Sequence, residues 1–213
     1  IERILFNRLN IWLLKYDQII YKSAELALIK LQKHPGIIYV QLDHRVDERL
    51  IPNDPEFENM WHLHNTGETG GVEDADIDAP EAWDFTTGGT TTSGQNIVVA
   101  IIDGGFQWDH QDLVDNAWVN QNEIAENGID DDGNGYIDDI HGWNAFDNNG
   151  ILPVASHGTK VSGMIGAQGN NSIDVVGINW NVELMFIAGS SSSTSTVITA
   201  YGYALDNKLL WQD

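Results

Sequence analysis

The sequence predicts an α/β fold in which helices cover both faces of a mostly parallel sheet, preceded by a smaller α+β unit. Ile97–Ile102 is an uninterrupted apolar run, rich in β-branched residues, that ends at Asp103, as strands buried in parallel sheets do. Helix-like and strand-like segments alternate after this run. Most of the lysines and arginines lie in the first 50 residues, whereas acidic residues concentrate after about residue 54, which indicates two units of different character.

The amino-terminal segment is expected to form a small β-α-β unit of the ferredoxin-like kind. Residues 10–16 have strand character, and Ser23 is expected to cap a helix that runs to Lys33. Pro35 and Gly36 end this helix, and residues 37–42 alternate as a second strand.

A segment with two prolines, residues 47–56, is interpreted as an extended, exposed linker. It separates a first domain, residues 1–46, from a second, residues 57–213. The elements predicted for the second domain are a short helix at 79–83, a central strand at 97–103, a helix from 157 to about 169, a strand at 182–188 and a helix at 197–205.

Composition excludes several classes of function. The 213 residues are 42% hydrophobic, enough for a globular core, and their formal net charge of −22 repels phosphate backbones and anionic lipid surfaces. We therefore expect no nucleic-acid or membrane partner. The absence of cysteine excludes disulfides and a thiol nucleophile. No apolar run approaches the ~20 residues that span a bilayer.

Two residues carry the chemistry. Asp103 follows the predicted central strand, at the sheet edge where α/β folds hold their ligands, and His157 begins a helix of small residues. A carboxylate and an imidazole are two of the three groups of an acid, base and nucleophile relay. From the residues alone, two alternatives remain open: Asp103 caps a loop, and His157 is a turn residue.

The motifs around these residues resemble the subtilisin-like serine peptidases. The run Val98 to Gly105, followed by His110-Gln111-Asp112-Leu113, is similar to the motif of the catalytic aspartate, and His157-Gly158-Thr159 to that of the catalytic histidine. The lead-in segments Pro52–Pro55 and Ile77–Trp83 match as well. The resemblance implies a partial subtilisin-like fold in which Asp103 orients His157, the general base and then general acid. Gly104 and Lys160 depart from the family pattern.

The family's serine motif and oxyanion asparagine do not occur in these residues. The serines at 190–193 and 195 lie in a polar loop and are interpreted as loop residues. We therefore expect a fragment of a secreted serine endopeptidase that acts on polypeptides. It comprises the propeptide and the first half of the catalytic domain, needs the carboxyl-terminal half, and is inactive alone. The signal for secretion would have been removed or would lie outside these residues.

An acidic loop is expected to bind structural calcium. Its oxygen ligands match positions 1, 3, 5, 7 and 9 of a calcium loop, with a carbonyl at position 7 and Gly135 at position 6; the candidate ligands are Asp130, Asp132, Asn134, Tyr136 and Asp138. Position 12 is His141 in place of a bidentate glutamate, so Asp139 or water would complete the site. The alternative is a solvated acidic turn, which the mutual repulsion of five aspartates disfavours. Subtilisin-like peptidases often bind structural calcium.

Residues 33–41 resemble the end of the family's inhibitory propeptide, which assists folding and contacts the catalytic domain. This resemblance implies cleavage between about His44 and Asp54. Two further hypotheses remain open: a catalytically inactive pseudopeptidase or calcium-dependent binding module, and a propeptide-type inhibitor that acts alone.

Overall fold

A computed structural model describes residues 2–43, 50–68, 70–190 and 193–210. The chain divides into two compact units, residues 1–48 and 49–213. In its described residues, the first unit holds a two-stranded sheet with one α-helix, and the second holds a three-stranded parallel sheet with helices.

In the first unit, strands β1 (Arg3–Phe6) and β2 (Ile11–Leu13) pair antiparallel around the 3-10 turn Asn7–Leu9. Helix α1 (Ala24–Gln32) begins as predicted, because the Ser23 hydroxyl accepts the backbone N–H of Leu26. The strand expected at 37–42 is wrong: residues 37–43 are in neither strand nor helix, and Ile38 is fully exposed. The partner of β2 is the upstream β1, which a short turn can bring alongside it.

The sheet of the second unit consists of β3 (Val98–Asp103), β4 (Gly142–Asn144) and β5 (Glu183–Ala188). All pairs are parallel and the spatial order is β3-β5-β4. The sequence did not predict β4, since Gly-Trp-Asn is no apolar run. Gly142 makes this strand possible: its φ is +136°, and a Cβ there would overlap the carbonyl oxygen of Phe186.

Helices α2 (Ala79–Trp83), α3 (Ser156–Gly166) and α4 (Thr194–Leu210) complete this unit. Alternate residues of β5 face opposite cores: Leu184 and Phe186 pack in the cluster on the α3 side, and Met185 and Ile187 pack in the cluster with α4. The predicted parallel sheet with a helix on each face is thereby confirmed. Among the described residues, no helix is both long enough and apolar enough to cross a bilayer.

The segment from residue 50 belongs to the second unit. Pro52 and Asp54 are buried, and the Asp54 carboxylate accepts the backbone N–H groups of Asn170 and Asn171. Within the segment expected at 47–56 to be an exposed linker, residues 50, 51, 53, 55 and 56 are exposed, whereas Pro52 and Asp54 are buried because the carboxylate is anchored to a loop far along the chain. Residues 47–49 of that interpretation, and 44–49 of the expected cleavage range, lie outside the described residues.

Candidate active site

Asp103 and His157 meet at the end of β3. The His157 Nδ1 atom lies 2.8 Å from the Asp103 Oδ2 atom, and the two side chains are 80% and 14% exposed, respectively. A carboxylate is an acceptor, so Nδ1 is the nitrogen that carries the proton. In the neutral imidazole this leaves Nε2 as an acceptor, and no described residue bonds to it. The pair is arranged to receive a proton from a hydroxyl that approaches from solvent.

The main chain holds Asp103 in place on both sides. Its carbonyl oxygen accepts two N–H groups from the continuation of β5, Gly189 at 2.8 Å and Ser190 at 3.1 Å. Its Oδ1 atom accepts the N–H of Gly104 at 2.7 Å. The carboxylate is thus fixed by its own strand end and by the neighbouring strand, and Oδ2 is left for His157.

The start of α3 is tied to the loop that follows β3. Thr159 Oγ1 donates to the Ala155 carbonyl at 2.7 Å and accepts the N–H of Gln107 at 2.9 Å. A Cβ on Gly158 would overlap the carbonyl oxygen of Gly105 and lie 3.0 Å from the Asp103 Cβ. Glycine at 158 is therefore what allows the helix to come close enough for the hydrogen bond between His157 and Asp103.

The described serines of the polar loop take no part in this pair. Ser190 bonds through its backbone to the Asp103 carbonyl, and the hydroxyls of Ser193 and Ser195 lie 2.9 Å apart and bond to each other. Ser191 and Ser192 lie outside the described residues. Within the described ranges, the site thus contains an acid and a base without a hydroxyl bonded to the base.

Three carboxylates of the acidic loop converge. Oxygen atoms of Glu123, Asp130 and Asp132 lie within 4.8 Å of one another. Glu123 is only 8% exposed. It fixes the loop by accepting backbone N–H groups from Asp131 at 2.7 Å, Asp132 at 3.2 Å and Asp138 at 3.0 Å. No lysine or arginine in the described part of the chain pairs with the three carboxylates. Glu123 was not among the predicted ligands, because it stands outside the ten-residue acidic run.

The other predicted ligands have different partners. The Asp138 carboxylate accepts the N–H groups of Asn127 and Gly128, both at 3.0 Å. The Asn134 oxygen accepts the N–H of Tyr136 at 2.7 Å, while its nitrogen donates to Asp132. The structure therefore brings Asp130 and Asp132 together with Glu123, and does not bring Asp138 to them.

Asp139, the suggested completing ligand, is fully buried behind the loop. It accepts hydrogen bonds from Asn120 at 2.8 Å, Tyr203 at 2.9 Å and Asn134 at 3.2 Å. Burial raises the pKa of Asp139 to about 6, against the lowering effect of these donors. Because Tyr203 belongs to α4, this carboxyl connects the acidic loop to that helix. His141, at position 12, bonds instead to the Trp118 carbonyl, and burial lowers its pKa.

A second buried carboxylate, Asp112, organises the loop after α3. It accepts the amide of Asn171 and the N–H of Val175, both at 3.0 Å, and burial raises its pKa. The sequence shows Asp112 only as part of a motif, since its partners lie about 60 residues away. Asp112 and Asp54 together hold residues 170–175 against the start of the unit.

Comparison with known proteins gives one consistent result. The model of the subtilase family matches residues 94–209. Subtilisin-like protease 1 of Plasmodium berghei is 47% identical over 98 residues, which cover 45% of this chain and 16% of that protein. Human neuroendocrine convertase 2 is 32% identical over 138 residues, 62% of this chain and 18% of that protein. The chain thus spans less than a fifth of the length of these relatives.

The fold is also found among solved structures. The crystal structure of the Aeromonas sobria serine protease in complex with its chaperone aligns with a TM-score of 0.52 at 22% identity, covering 82% of this chain and 26% of that chain. At this level of identity the likeness shows the fold alone. It agrees with the partial subtilisin-like fold implied by the sequence motifs.

Proposed function

The chain belongs to the subtilase family, and from this premise we propose that the full-length protein is a serine endopeptidase that hydrolyses peptide bonds of polypeptides. The observation that carries the proposal is the 2.8 Å hydrogen bond between His157 Nδ1 and Asp103 Oδ2, with the imidazole 80% exposed. This arrangement supports the roles of Asp103 and His157 as orienting acid and general base.

In the proposed mechanism, the Nε2 atom of His157 takes the proton of a serine hydroxyl as that oxygen attacks the peptide carbonyl. The imidazolium formed is stabilised by Asp103, and it then gives the proton to the leaving amine. The Gly104, Gly189 and Ser190 N–H groups hold Asp103 fixed through these steps. We propose that the serine and the oxyanion asparagine come from the rest of the full-length protein. The length of the relatives supports this, because they are several times longer than this chain.

A fluorophosphonate probe, which labels activated serines, tests this function. The full-length protein should be labelled and should cleave casein, and His157→Ala should abolish both. A polypeptide of only these 213 residues should show neither, because no serine hydroxyl in the described ranges bonds to His157. His157-dependent hydrolysis by the 213-residue polypeptide would contradict the proposal that the serine comes from the rest of the full-length protein. An unlabelled, inactive full-length protein would favour the alternative, a pseudopeptidase that serves as a calcium-dependent interaction module.

We also propose that the acidic loop holds a structural calcium ion. The donor set fits, because Glu123, Asp130 and Asp132 are hard oxygen ligands, and their mutual repulsion is not offset by any lysine or arginine in the described ranges. A bound cation would neutralise this repulsion and stiffen the loop that Glu123 already braces.

Calcium should raise the midpoint of thermal unfolding. At a concentration one hundred times Kd, the stabilisation is about 2.7 kcal/mol. Asp130→Ala combined with Asp132→Ala, or Glu123→Gln alone, should reduce the rise. Asp131→Asn is the matched control, because this neighbouring carboxylate is directed at Ile124 and Asn127 and should leave the rise intact. A midpoint that calcium does not move in the parent protein would exclude the site.

For the amino-terminal residues 1–46 we propose a propeptide-like role, in contact with the catalytic domain of a secreted enzyme. The resemblance of residues 33–41 to propeptide ends supports it. A polypeptide of residues 1–54 should inhibit a subtilisin-like enzyme at stoichiometric amounts, and no inhibition would remove this assignment.

A further inference from the structure

The geometry points to the Asp103–Gly104 peptide as a site of spontaneous imide formation. This reaction converts the orienting aspartate to isoaspartate, which moves its carboxylate away from His157. Three features of the described residues favour the reaction at this bond, and each acts on a different atom of it.

The first feature is the position of the attacking nitrogen. The Gly104 N atom lies 2.7 Å from the Asp103 Oδ1 atom, so the side chain is folded back over the peptide that follows it. This conformation keeps the carboxylate beside the nitrogen that must attack it, which lowers the entropic cost of ring closure. Gly104 is exposed and has no Cβ to block the approach, and the space around it is open.

The second feature is the acidity of that nitrogen. The nucleophile is the deprotonated amide, whose negative charge is shared with the carbonyl oxygen of the same peptide. That oxygen, on Asp103, accepts N–H groups from Gly189 at 2.8 Å and Ser190 at 3.1 Å. Two fixed donors at an oxygen that gains negative charge stabilise the anion, as in an oxyanion hole.

The third feature is an acid at the leaving oxygen. His157 Nδ1 lies 2.8 Å from Oδ2, the carboxyl oxygen that points away from Gly104. The imidazole can pass its Nδ1 proton to this oxygen as its exposed Nε2 atom takes one up from solvent, so that the oxygen departs as water. The residues that would serve peptide hydrolysis therefore also surround a side reaction on their own main chain.

The step balances without any co-reactant. The Gly104 nitrogen forms a bond to Cγ of Asp103 and gives up its proton, while the bond from Cγ to Oδ2 breaks. Oδ2 leaves as water with that proton and a second one from His157 Nδ1, which is replaced by a solvent proton taken up at Nε2. The product is a five-membered imide, one water lighter than the parent chain. Addition of water at Cγ restores aspartate. Addition at the main-chain carbonyl instead leaves isoaspartate, with Cγ in the main chain and the carboxylate directly on Cα, out of register with His157.

The chain contains its own comparator, the Asp132–Gly133 peptide. The Asp132 carboxylate accepts from Asn134 and Asn120, and the Gly133 N–H is not among its donors. This second Asp-Gly bond has the same intrinsic reactivity but lacks the folded-back conformer and the histidine.

The test uses the full-length protein with its reactive serine blocked by a sulfonyl fluoride, incubated at 37 °C and neutral pH, both folded and in urea. Peptide mapping by mass spectrometry, with isoaspartyl methyltransferase to count isoaspartate, gives the rates at 103 and 132. We expect the ratio of the two rates to be about tenfold higher in the folded protein than in urea. A folded ratio equal to or below the urea ratio would overturn the inference, because the fold would then protect the bond.

Two variants separate the causes. His157→Gln should slow the reaction at 103 about tenfold and leave the rate at 132 unchanged. Gly104→Ala places a methyl group in open space and should also slow only the reaction at 103. An unchanged rate at 103 in His157→Gln would overturn the inference, whatever Gly104→Ala does. The readouts are mass and linkage, so their outcome is independent of whether the protein proves to be a peptidase.

Discussion

Replacing Asp103 by alanine should lower kcat of the full-length protein about 10^4-fold. The reason is that the His157 ring then loses the only described partner of its Nδ1 atom, and with it the fixed tautomer and the stabilisation of the imidazolium. Alanine is preferred to asparagine because an Asn-Gly pair would itself form the imide and regenerate aspartate.

Asp109→Ala is the matched control, since Asp109 is an exposed acid a few residues further on in the same loop. It should change kcat by less than about twofold, because surface changes of this kind have small effects. The measurement is steady-state hydrolysis of a peptide ester, together with circular dichroism to show that both variants fold. An Asp103→Ala variant with nearly parental kcat would show that the carboxylate has no part in catalysis.

Gly158→Ala should destabilise the second unit and separate the two site residues. The added Cβ would overlap the Gly105 carbonyl oxygen, a main-chain atom two residues after β3, and would lie 3.0 Å from the Asp103 Cβ. Overpacking of this kind costs about 1–3 kcal/mol. Because α3 must move away from β3 to relieve this overlap, the hydrogen bond from His157 to Asp103 should lengthen. Both kcat and the free energy of unfolding should therefore decrease.

Gly163→Ala, in the same helix, should have the opposite effect on stability. A Cβ at Gly163 meets no other atom within 4 Å, so only the helix propensity of alanine acts. This variant should gain about 0.5–1 kcal/mol of stability. Urea unfolding of both variants gives the comparison. If the two alanines had equal effects, the close approach at Gly158 would not be what positions His157.

The main elements around the site could be predicted from local patterns. The apolar run of β3, the apolar strand β5 and the small-residue helix α3 carry periodicities that depend only on neighbours in the chain. Strand β4 could not be found in this way: its pairing with β5 depends on Gly142 lying directly against Phe186, 44 residues away by number. The strand expected at 37–42 failed for the converse reason, because an alternating pattern does not supply a partner.

By itself, the sequence determined the kinds of chemistry that this protein can perform: an aspartate at a strand end, a histidine at a helix start, and a loop of carboxylates without enough cations to balance them. The tertiary structure decided which of these groups meet. It brought His157 within 2.8 Å of Asp103, and it brought Glu123 to Asp130 and Asp132 while it turned Asp138 towards Asn127. The physical reason is that a hydrogen bond or a shared cation acts over a few ångströms in space, and separation along the chain does not determine that distance.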